Sequence, residues 1–180
     1  MLLTPIKREV ARCVASLFIY YSVYNIYNER KIMKMKVIFL DIDGVLNKHN
    51  WSQNKTPWME DSKVELIGRL CKDTGAKVVL ASNWREAWFE PMFYENETTA
   101  IYKGHKLFKK NNIEVVGITG RGKTRGEEIK QYLKDNPDIT NYVSIDDTIV
   151  DLDNRVQTNR DEGLTQSDCQ KAAQLLFFLD

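Results

Sequence analysis

The sequence predicts an α/β domain in which helices pack on a central parallel sheet. Segments typical of buried strands alternate along the chain with amphipathic helical segments, and the strands are apolar on both faces. The 180 residues, of which 43% are hydrophobic and 28% charged, are enough for one domain with a substantial core. The net charge of +1 gives no overall field that would select a nucleic acid or a membrane as a partner.

Four strands and a short fifth are predicted from runs of apolar and β-branched residues. They are KVIFLD at 36–41, AKVVLAS at 76–82, IEVVGIT at 113–119, NYVSIDD at 141–147 and RVQT at 155–158. Because helical segments separate the strands, we expect right-handed crossovers and a parallel sheet. In such sheets the ligand binds beyond the carboxyl ends of the strands.

The helical segments between and after these strands carry their own start and stop signals. They lie at 61–75, 84–93, 124–135 and 167–179. In the first, Asp61 or Ser62 is expected as the N-cap and Gly75 as the stop. Pro91 must bend, end or restart the second, because proline removes a helical hydrogen bond.

The composition changes near residue 35, which predicts an N-terminal extension at 1–34 and a domain at 35–180. The extension carries six basic and two acidic residues around an apolar, aromatic stretch, CVASLFIYYSVYNIY. This stretch is shorter than the roughly 20 apolar residues of a membrane span, and no small-residue cleavage site follows it. Three interpretations stay open: a helix packed on the domain, a membrane anchor, or a mis-assigned start. The last is favoured, because Met33 and Met35 immediately precede the first strand.

The cysteines indicate a reducing compartment. Cys13, Cys71 and Cys169 are widely spaced and odd in number, unlike a disulfide framework or a zinc site. We therefore expect a cytoplasmic protein with reduced thiols. No sequence feature indicates a protein partner, and a membrane enters only if the extension is part of the mature chain.

Two pairs of aspartates follow predicted strands: Asp41 with Asp43, and Asp146 with Asp147. Because the carboxyl ends of parallel strands meet at one edge of the sheet, these side chains can converge. Two unit charges about 4 Å apart repel by roughly 4 kcal/mol at an effective dielectric near 20. Such a cluster needs raised pKa values or a cation, and an all-oxygen set of ligands suits Mg²⁺. Helix capping, the simpler explanation, accounts for one aspartate at each strand end but not for two pairs.

Several segments resemble the motifs of one superfamily. VIFLDIDGVLN resembles motif I of the haloacid dehalogenase (HAD) superfamily, the aspartate-nucleophile phosphatases; VVLASNWR resembles motif II and YVSIDDT motif IV. The ordered set SNWR, RGEEI, IDD and GLT further resembles a subgroup found in or near RNA-repair proteins, and the match extends over about 36–176. The resemblance implies a three-layer, Rossmann-like HAD fold and a phosphoric monoester hydrolase.

The resemblance also implies a role for each carboxylate. The first aspartate of motif I attacks phosphorus, and Asp41 matches it. The aspartate two residues later protonates the leaving group and then activates water, and Asp43 matches it. Asp147, with Asp41 and the main-chain carbonyl of Asp43, would hold Mg²⁺. Asp146 or Asp151 would support this metal site.

Polar residues near these motifs are candidates for binding the substrate. Ser82 would donate a hydrogen bond to a phosphoryl oxygen, and Gly44 permits a tight exit from the first strand. Asn83, Trp84 and Arg85 follow motif II; the tryptophan could stack on a base and the arginine pair with a phosphate. The equally weighted alternative is a tryptophan packed on the core and an arginine on the surface.

Motif III requires a cation near the phosphate, and the segment GRGKTRGEEI offers Lys123 and Arg125 close to a helix N-terminus. The usual lysine of the superfamily favours Lys123, whereas the RGEEI subgroup favours Arg125, so both stay open. The same segment contains GITGRGKT, 117–124, a complete phosphate-loop pattern. A nucleoside-triphosphate-binding protein or kinase is therefore the alternative function, although it leaves Asp41 and Asp43 unexplained.

The spacing of the motifs predicts a minimal cap domain or none. Only 38 residues separate Asp43 from Ser82, and 40 separate Ser82 from Lys123, and both are used by core elements. An open site admits a large substrate, and local cations could follow a phosphate backbone. These are Arg85, Lys103, Lys106, Arg121, Lys123 and Arg125. The sequence thus predicts a Mg²⁺-dependent phosphomonoesterase for a nucleotide or a nucleic-acid end, with a general small-molecule phosphatase and an inactive binding module as alternatives.

Overall fold

The structure, a computed structural model, describes residues 35–48 and 58–177. The predicted extension at 1–34 and Cys13 lie outside the described residues. The strands are β1 Met35–Leu40, β2 Lys77–Leu80, β3 Val115–Ile118, β4 Ile139–Asp146 and β5 Arg155–Gln157. The helices are α1 Asp61–Thr74, α2 Arg85–Trp88, α3 Pro91–Tyr94, α4 Ala100–Lys110, α5 Arg125–Asp135 and α6 Gln166–Phe177.

The strands form one five-stranded parallel sheet in the order β3-β2-β1-β4-β5. Strand β1 is central, and its side chains from Val37 to Leu40 are fully buried, as expected for a strand covered on both faces. Alternate residues of β1 face two separate cores. Ile38 faces the core built with α1, α4 and α6, whereas Phe39 faces the core built with α5. The predicted three-layer α/β fold is therefore confirmed.

The predicted stop of the first helix at Gly75 and the predicted interruption at Pro91 are confirmed. Helix α1 ends at Gly75, whose φ of 72° is left-handed, and Pro91 restarts the chain as the first residue of α3. The predicted N-cap of α1 is wrong. Glu60 occupies the cap position and makes no side-chain cap, and Asp61 is already helical, where its charge favours the helix dipole.

The elements between the motifs leave no inserted cap domain among residues 58–124. Helix α1 and β2 fill the described part of the interval between motifs I and II, and α2, α3, α4 and β3 fill the next. Of the helices that the structure describes, none is long and apolar enough to cross a membrane.

Candidate active site

The site lies at the carboxyl ends of β1, β2 and β4, the three strands at the centre of the sheet. Asp41 follows β1 directly, Ser82 lies two residues beyond β2, and Asp146 is the last residue of β4. An open cleft of about 360 Å³ joins these ends. Its lining consists of Asp41, Asp43, Ser82, Asn83, Arg125, Asp146, Asp147, Thr148 and Arg160.

Three carboxylates meet in this cleft. One oxygen from each of Asp41, Asp146 and Asp147 lies within 4.8 Å of the other two. Burial, followed by the nearby charge of Asp146, raises the pKa of Asp41 from 3.8 to about 7, although Arg125 and the Ser82 hydroxyl oppose this shift. A cluster that holds a proton near neutral pH is one that a divalent cation can stabilise.

Asp43 stands beside the three-carboxylate cluster and is held through both of its oxygens. Asn47 Nδ2 donates to Asp43 Oδ1 over 2.9 Å, and Trp84 Nε1 donates to Asp43 Oδ2 over 3.0 Å. The side-chain oxygen of Asn47 in turn accepts the Gly44 N–H over 3.0 Å. The sequence contained Asn47 at the end of motif I, but no spacing rule assigned it a contact.

Gly44 serves a second purpose beyond the turn that was predicted for it. Its φ is +79°, and a Cβ built on it would lie 2.5 Å from Asp147 Oδ2. Any other residue would therefore both strain the backbone and push Asp147 out of the cluster.

Of the two candidate motif III cations, the structure brings Arg125 into the cleft and leaves Lys123 outside. Arg125 Nε donates to Asp146 Oδ2 over 3.2 Å, and its Nη2 lies 3.7 Å from Asp41 Oδ1. Thr124 caps α5 by accepting the Glu127 N–H, so Arg125 is the first helical residue and Lys123 precedes the cap on the exposed side.

The expectations for Arg85 need correction, whereas Trp84 packs against the core as one of its two interpretations predicted. Trp84 is half-buried and contacts Asp43, so its ring edge faces the site. Arg85 is neither a surface residue nor directed at the cleft: it is 6% exposed and pairs with Glu128 through two bonds of 3.0 and 3.2 Å.

Other predicted participants lie away from the cleft. The Asp151 side chain is 94% exposed and pairs with Lys130, so it does not support the carboxylate cluster. Lys103 lies over the ring of Trp58 at 3.5 Å. Lys106 lies over the ring of Tyr102 and Arg121 pairs with Glu86, and neither residue lines the cleft.

Two residues that line the cleft were not predicted. Arg160 Nε donates to Asp147 Oδ2 over 2.7 Å, and its side chain is half-exposed. Thr148 donates its N–H and its hydroxyl to Asp146 Oδ1, over 2.8 and 2.5 Å. Arg160 gave no local signal, because its partner is brought near only by the fold.

The phosphate-loop interpretation of residues 117–124 loses its physical basis. The N–H of Gly122 donates to Glu128 Oε1 over 3.2 Å, and the N–H of Lys123 donates to Glu127 Oε2 over 3.1 Å. The main-chain N–H groups that would have to bind a phosphate are thus already hydrogen-bonded to carboxylates of α5.

Comparison with known proteins gives a family match and similar solved structures. A family model described as the HAD domain in Swiss Army Knife RNA repair proteins matches residues 37–169. A search of curated proteins finds no match. Among solved structures, a hypothetical protein from Xanthomonas campestris is 11% identical, with a TM-score of 0.42 over 81% of this chain and 84% of that one. The cobalt-bound deoxy-D-mannose-octulosonate 8-phosphate phosphatase from Haemophilus influenzae is 10% identical, with a TM-score of 0.41 over 81% and 89%.

The family match covers most of the chain and runs from motif I in β1 to the first turn of α6, beyond motif IV. The protein is therefore a hydrolase of the HAD phosphatase class. Within that class, the chain belongs to the family of HAD domains found in Swiss Army Knife RNA repair proteins.

Proposed function

We propose that the protein hydrolyses phosphate monoesters with Asp41 as the nucleophile and with Mg²⁺ as the cofactor. The observation that carries this proposal is the placement of Asp41. It directly follows the central strand, lies within the three-carboxylate cluster, and has the Arg125 guanidinium 3.7 Å away. A phosphoryl group above Asp41 would meet a nucleophile, a cation and the Ser82 hydroxyl together.

The two chemical steps use Asp41 and Asp43 in turn. An Asp41 oxygen attacks phosphorus, the bond from phosphorus to the ester oxygen breaks, and the Asp43 carboxyl gives its proton to the departing oxygen. Water then attacks the phosphorus of the aspartyl-phosphate while the Asp43 carboxylate takes a proton from that water. The bond between phosphorus and Asp41 breaks, and inorganic phosphate leaves.

The carboxylates fit a divalent cation. Asp41, Asp147 and the main-chain carbonyl of Asp43 would hold Mg²⁺, which supplies positive charge against the substrate phosphate when it is bound. Asp146 fits a supporting role, because Thr148 and Arg125 already bind its two oxygens. The raised pKa of Asp41 supports this assignment, since a group that resists ionisation alone is stabilised by a cation.

The remaining lining residues would hold the phosphate and what it is attached to. Ser82 and Arg125 would bind phosphoryl oxygens, and the exposed Asn83 would contact the rest of the substrate. Arg160, half-exposed at the rim, adds a second cation there.

We propose that the substrate is a nucleotide or the terminal phosphate of a nucleic acid. The open cleft without a cap among residues 58–124 favours a large substrate, and the family of RNA repair proteins favours an RNA end. The buried free thiols of Cys71 and Cys169 support a cytoplasmic location. The alternative is a general small-molecule phosphatase, and the substrate test must distinguish it from a phosphatase for nucleotides or nucleic-acid ends.

The test compares kcat/KM for a phosphate-ended oligonucleotide, a mononucleotide and a sugar phosphate, each at about 50 and 200 mM salt. Asp41→Asn, which keeps the shape but removes the nucleophile, is the matched control and should be inactive on all three. We expect the oligonucleotide to be preferred and its kcat/KM to fall with salt. A preference for the sugar phosphate would leave a general phosphatase, and wild-type turnover by Asp41→Asn would overturn the covalent mechanism.

A further inference from the structure

Glu128 is a buried carboxylate that the proposed chemistry does not use directly. Its side chain is 8% exposed and lies on the first turns of α5. Arg85, at the start of α2, donates to both of its oxygens, over 3.0 and 3.2 Å. The N–H of Gly122 donates to Oε1 as well, over 3.2 Å. Glu128 is therefore fixed in one orientation by groups from two elements.

The same carboxylate holds Arg125. Arg125 Nη1 donates to Glu128 Oε2 over 2.7 Å, while Arg125 Nε donates to Asp146 Oδ2 over 3.2 Å. Arg125 Nη2 faces Asp41 Oδ1 at 3.7 Å, which is longer than a hydrogen bond. The guanidinium is thus held at two of its nitrogens while the third is directed at the proposed nucleophile.

Two guanidiniums share the carboxylate of Glu128, the buried one of Arg85 and the partly exposed one of Arg125. Paired with Arg125 alone, Glu128 could rotate with it, because a single ion pair leaves both side chains free to move together. The two-point contact with Arg85 fixes the plane of the carboxylate, and with it the direction of Arg125. Losing the charge of Glu128 would leave the buried Arg85 without its ion-pair partner, and would leave Arg125 held only by Asp146 and near Asp41.

We propose that Glu128 is a positioning residue for catalysis, and that Arg85 supports it. Together they hold the Arg125 guanidinium where it binds a phosphoryl oxygen above Asp41, and they stop it from collapsing onto Asp41. This inference deepens the proposed function and rests on it. It also assigns a role to Arg85, which lies too deep to contact the substrate: Arg85 holds Glu128 in position.

The first experiment removes the charge of Glu128 and compares this variant with one that removes the charge of the neighbouring Glu127. Glu128→Gln keeps the size of the side chain, but an amide accepts from one guanidinium and repels the other. With p-nitrophenyl phosphate and saturating Mg²⁺, we expect kcat to fall about 10- to 100-fold, and the Kd for inorganic phosphate to rise about fivefold. Glu127→Gln is the matched control, since that carboxylate is exposed and contacts the main chain of Lys123. It should stay within about twofold of the wild type.

A double-mutant cycle separates positioning from a structural role. If Glu128 acts through Arg125, then Glu128→Gln should cost less than about threefold in kcat once Arg125→Lys is present, because a lysine has no plane to orient. An equal fall in both backgrounds would show that Glu128 only supports the fold and would overturn the proposal.

If Glu128→Gln does not fold, Arg85→Lys tests the same positioning of Arg125 by Glu128 and Arg85. It keeps the charge but loses the two-point contact, so we expect a fall in kcat of about 3- to 10-fold and weaker phosphate binding. Unchanged kcat and unchanged phosphate Kd in Arg85→Lys would overturn the proposal. The proposed function fails differently: an active Asp41→Asn would reject the covalent step, whereas the Kd for phosphate would still report on the position of Arg125.

Discussion

The indole Nε1 of Trp84 donates a hydrogen bond to Asp43 Oδ2 over 3.0 Å. Trp84 belongs to the turn after β2 and Asp43 to the turn after β1, so this bond ties motif I to motif II. Asn47 holds the other oxygen of Asp43 over 2.9 Å. The carboxyl group proposed as acid and base is thus held in one orientation from two sides.

The first prediction concerns this bond. Trp84→Phe keeps an aromatic ring against the core but removes the donor, so Asp43 should lose part of its orientation. We expect kcat to fall about tenfold on an alkyl phosphate, with KM little changed, as a fraction of the roughly 10²–10⁴-fold that a positioned acid contributes. The fall should be smaller with p-nitrophenyl phosphate, whose leaving group needs less help from an acid.

The control for this prediction is Trp58→Phe. Trp58 is 41% exposed and lies outside the cleft, so its replacement should leave both activities unchanged. Equal losses on the two substrates in Trp84→Phe would mean that the bond does not act through proton transfer.

The second prediction distinguishes Arg125 from Lys123. Arg125→Ala removes the cation that faces Asp41, and kcat should fall about 10²–10³-fold, as when one preorganised donor to a developing charge is removed. Lys123→Ala should change kcat on p-nitrophenyl phosphate by less than about twofold, because its side chain is exposed and outside the cleft. The reverse order of effects would assign motif III to Lys123.

The positions of the aspartates could be predicted because the rules that place them are local. A strand that is apolar on both faces belongs in the middle of a parallel sheet, and its carboxyl end opens onto the ligand edge. Asp41 and Asp147 directly follow two such strands, Asp146 is the last residue of the second, and the structure brings the three together. The choice between Lys123 and Arg125 could also have been made from sequence, because T-x-x-E at Thr124 is a capping signal that places Arg125 inside the helix.

The partners of Arg85 and Arg160 could not be predicted. Arg85 and Glu128 are 43 residues apart, and nothing in the periodicity of either segment indicates that a buried ion pair will form. Arg160 lies 13 residues beyond Asp147, on a loop after β5 whose path is fixed by contacts such as that of the Thr158 hydroxyl with the Gly44 carbonyl. Such contacts form only when the whole domain has folded, so they cannot be predicted from a local sequence pattern.

The third prediction concerns the metal. Asp147→Asn should raise the Mg²⁺ concentration needed for half-maximal activity by about tenfold or more, because an amide is a weaker ligand than a carboxylate and carries no charge. Chelation with EDTA should abolish wild-type activity, and Mg²⁺ should restore it. Asp151→Asn is the matched control: it removes a carboxylate that is 94% exposed, and the Mg²⁺ requirement should not change. Full activity of the wild type after removal of the metal would contradict this reading of the carboxylate cluster.

The last prediction concerns pH, and its sign follows from Asp41. The pKa of Asp41 is raised from 3.8 to about 7 in the metal-free fold, so between these values the folded state keeps a proton that the unfolded state has released. The free energy of unfolding should therefore fall as pH rises from about 4 to 7. Above pH 7, the ionised Asp41 should lower the free energy of unfolding by on the order of 2–4 kcal/mol. In EDTA, Asp41→Asn should be more stable than the wild type near pH 8, and the difference should shrink toward about pH 5.

Added Mg²⁺ should reverse this order, because the cation binds the ionised form. It should stabilise the wild type more at about pH 8 than at pH 5.5, and should stabilise Asp41→Asn much less at either pH. Urea unfolding of both proteins and of Asp151→Asn, with EDTA and with Mg²⁺, measures all of these differences. If the difference in free energy of unfolding between the wild type and Asp41→Asn in EDTA does not change with pH, Asp41 is already ionised in the metal-free fold. The carboxylate cluster would then owe its stability to Arg125 and Arg160, which contact Asp41 and Asp147, rather than to a bound proton.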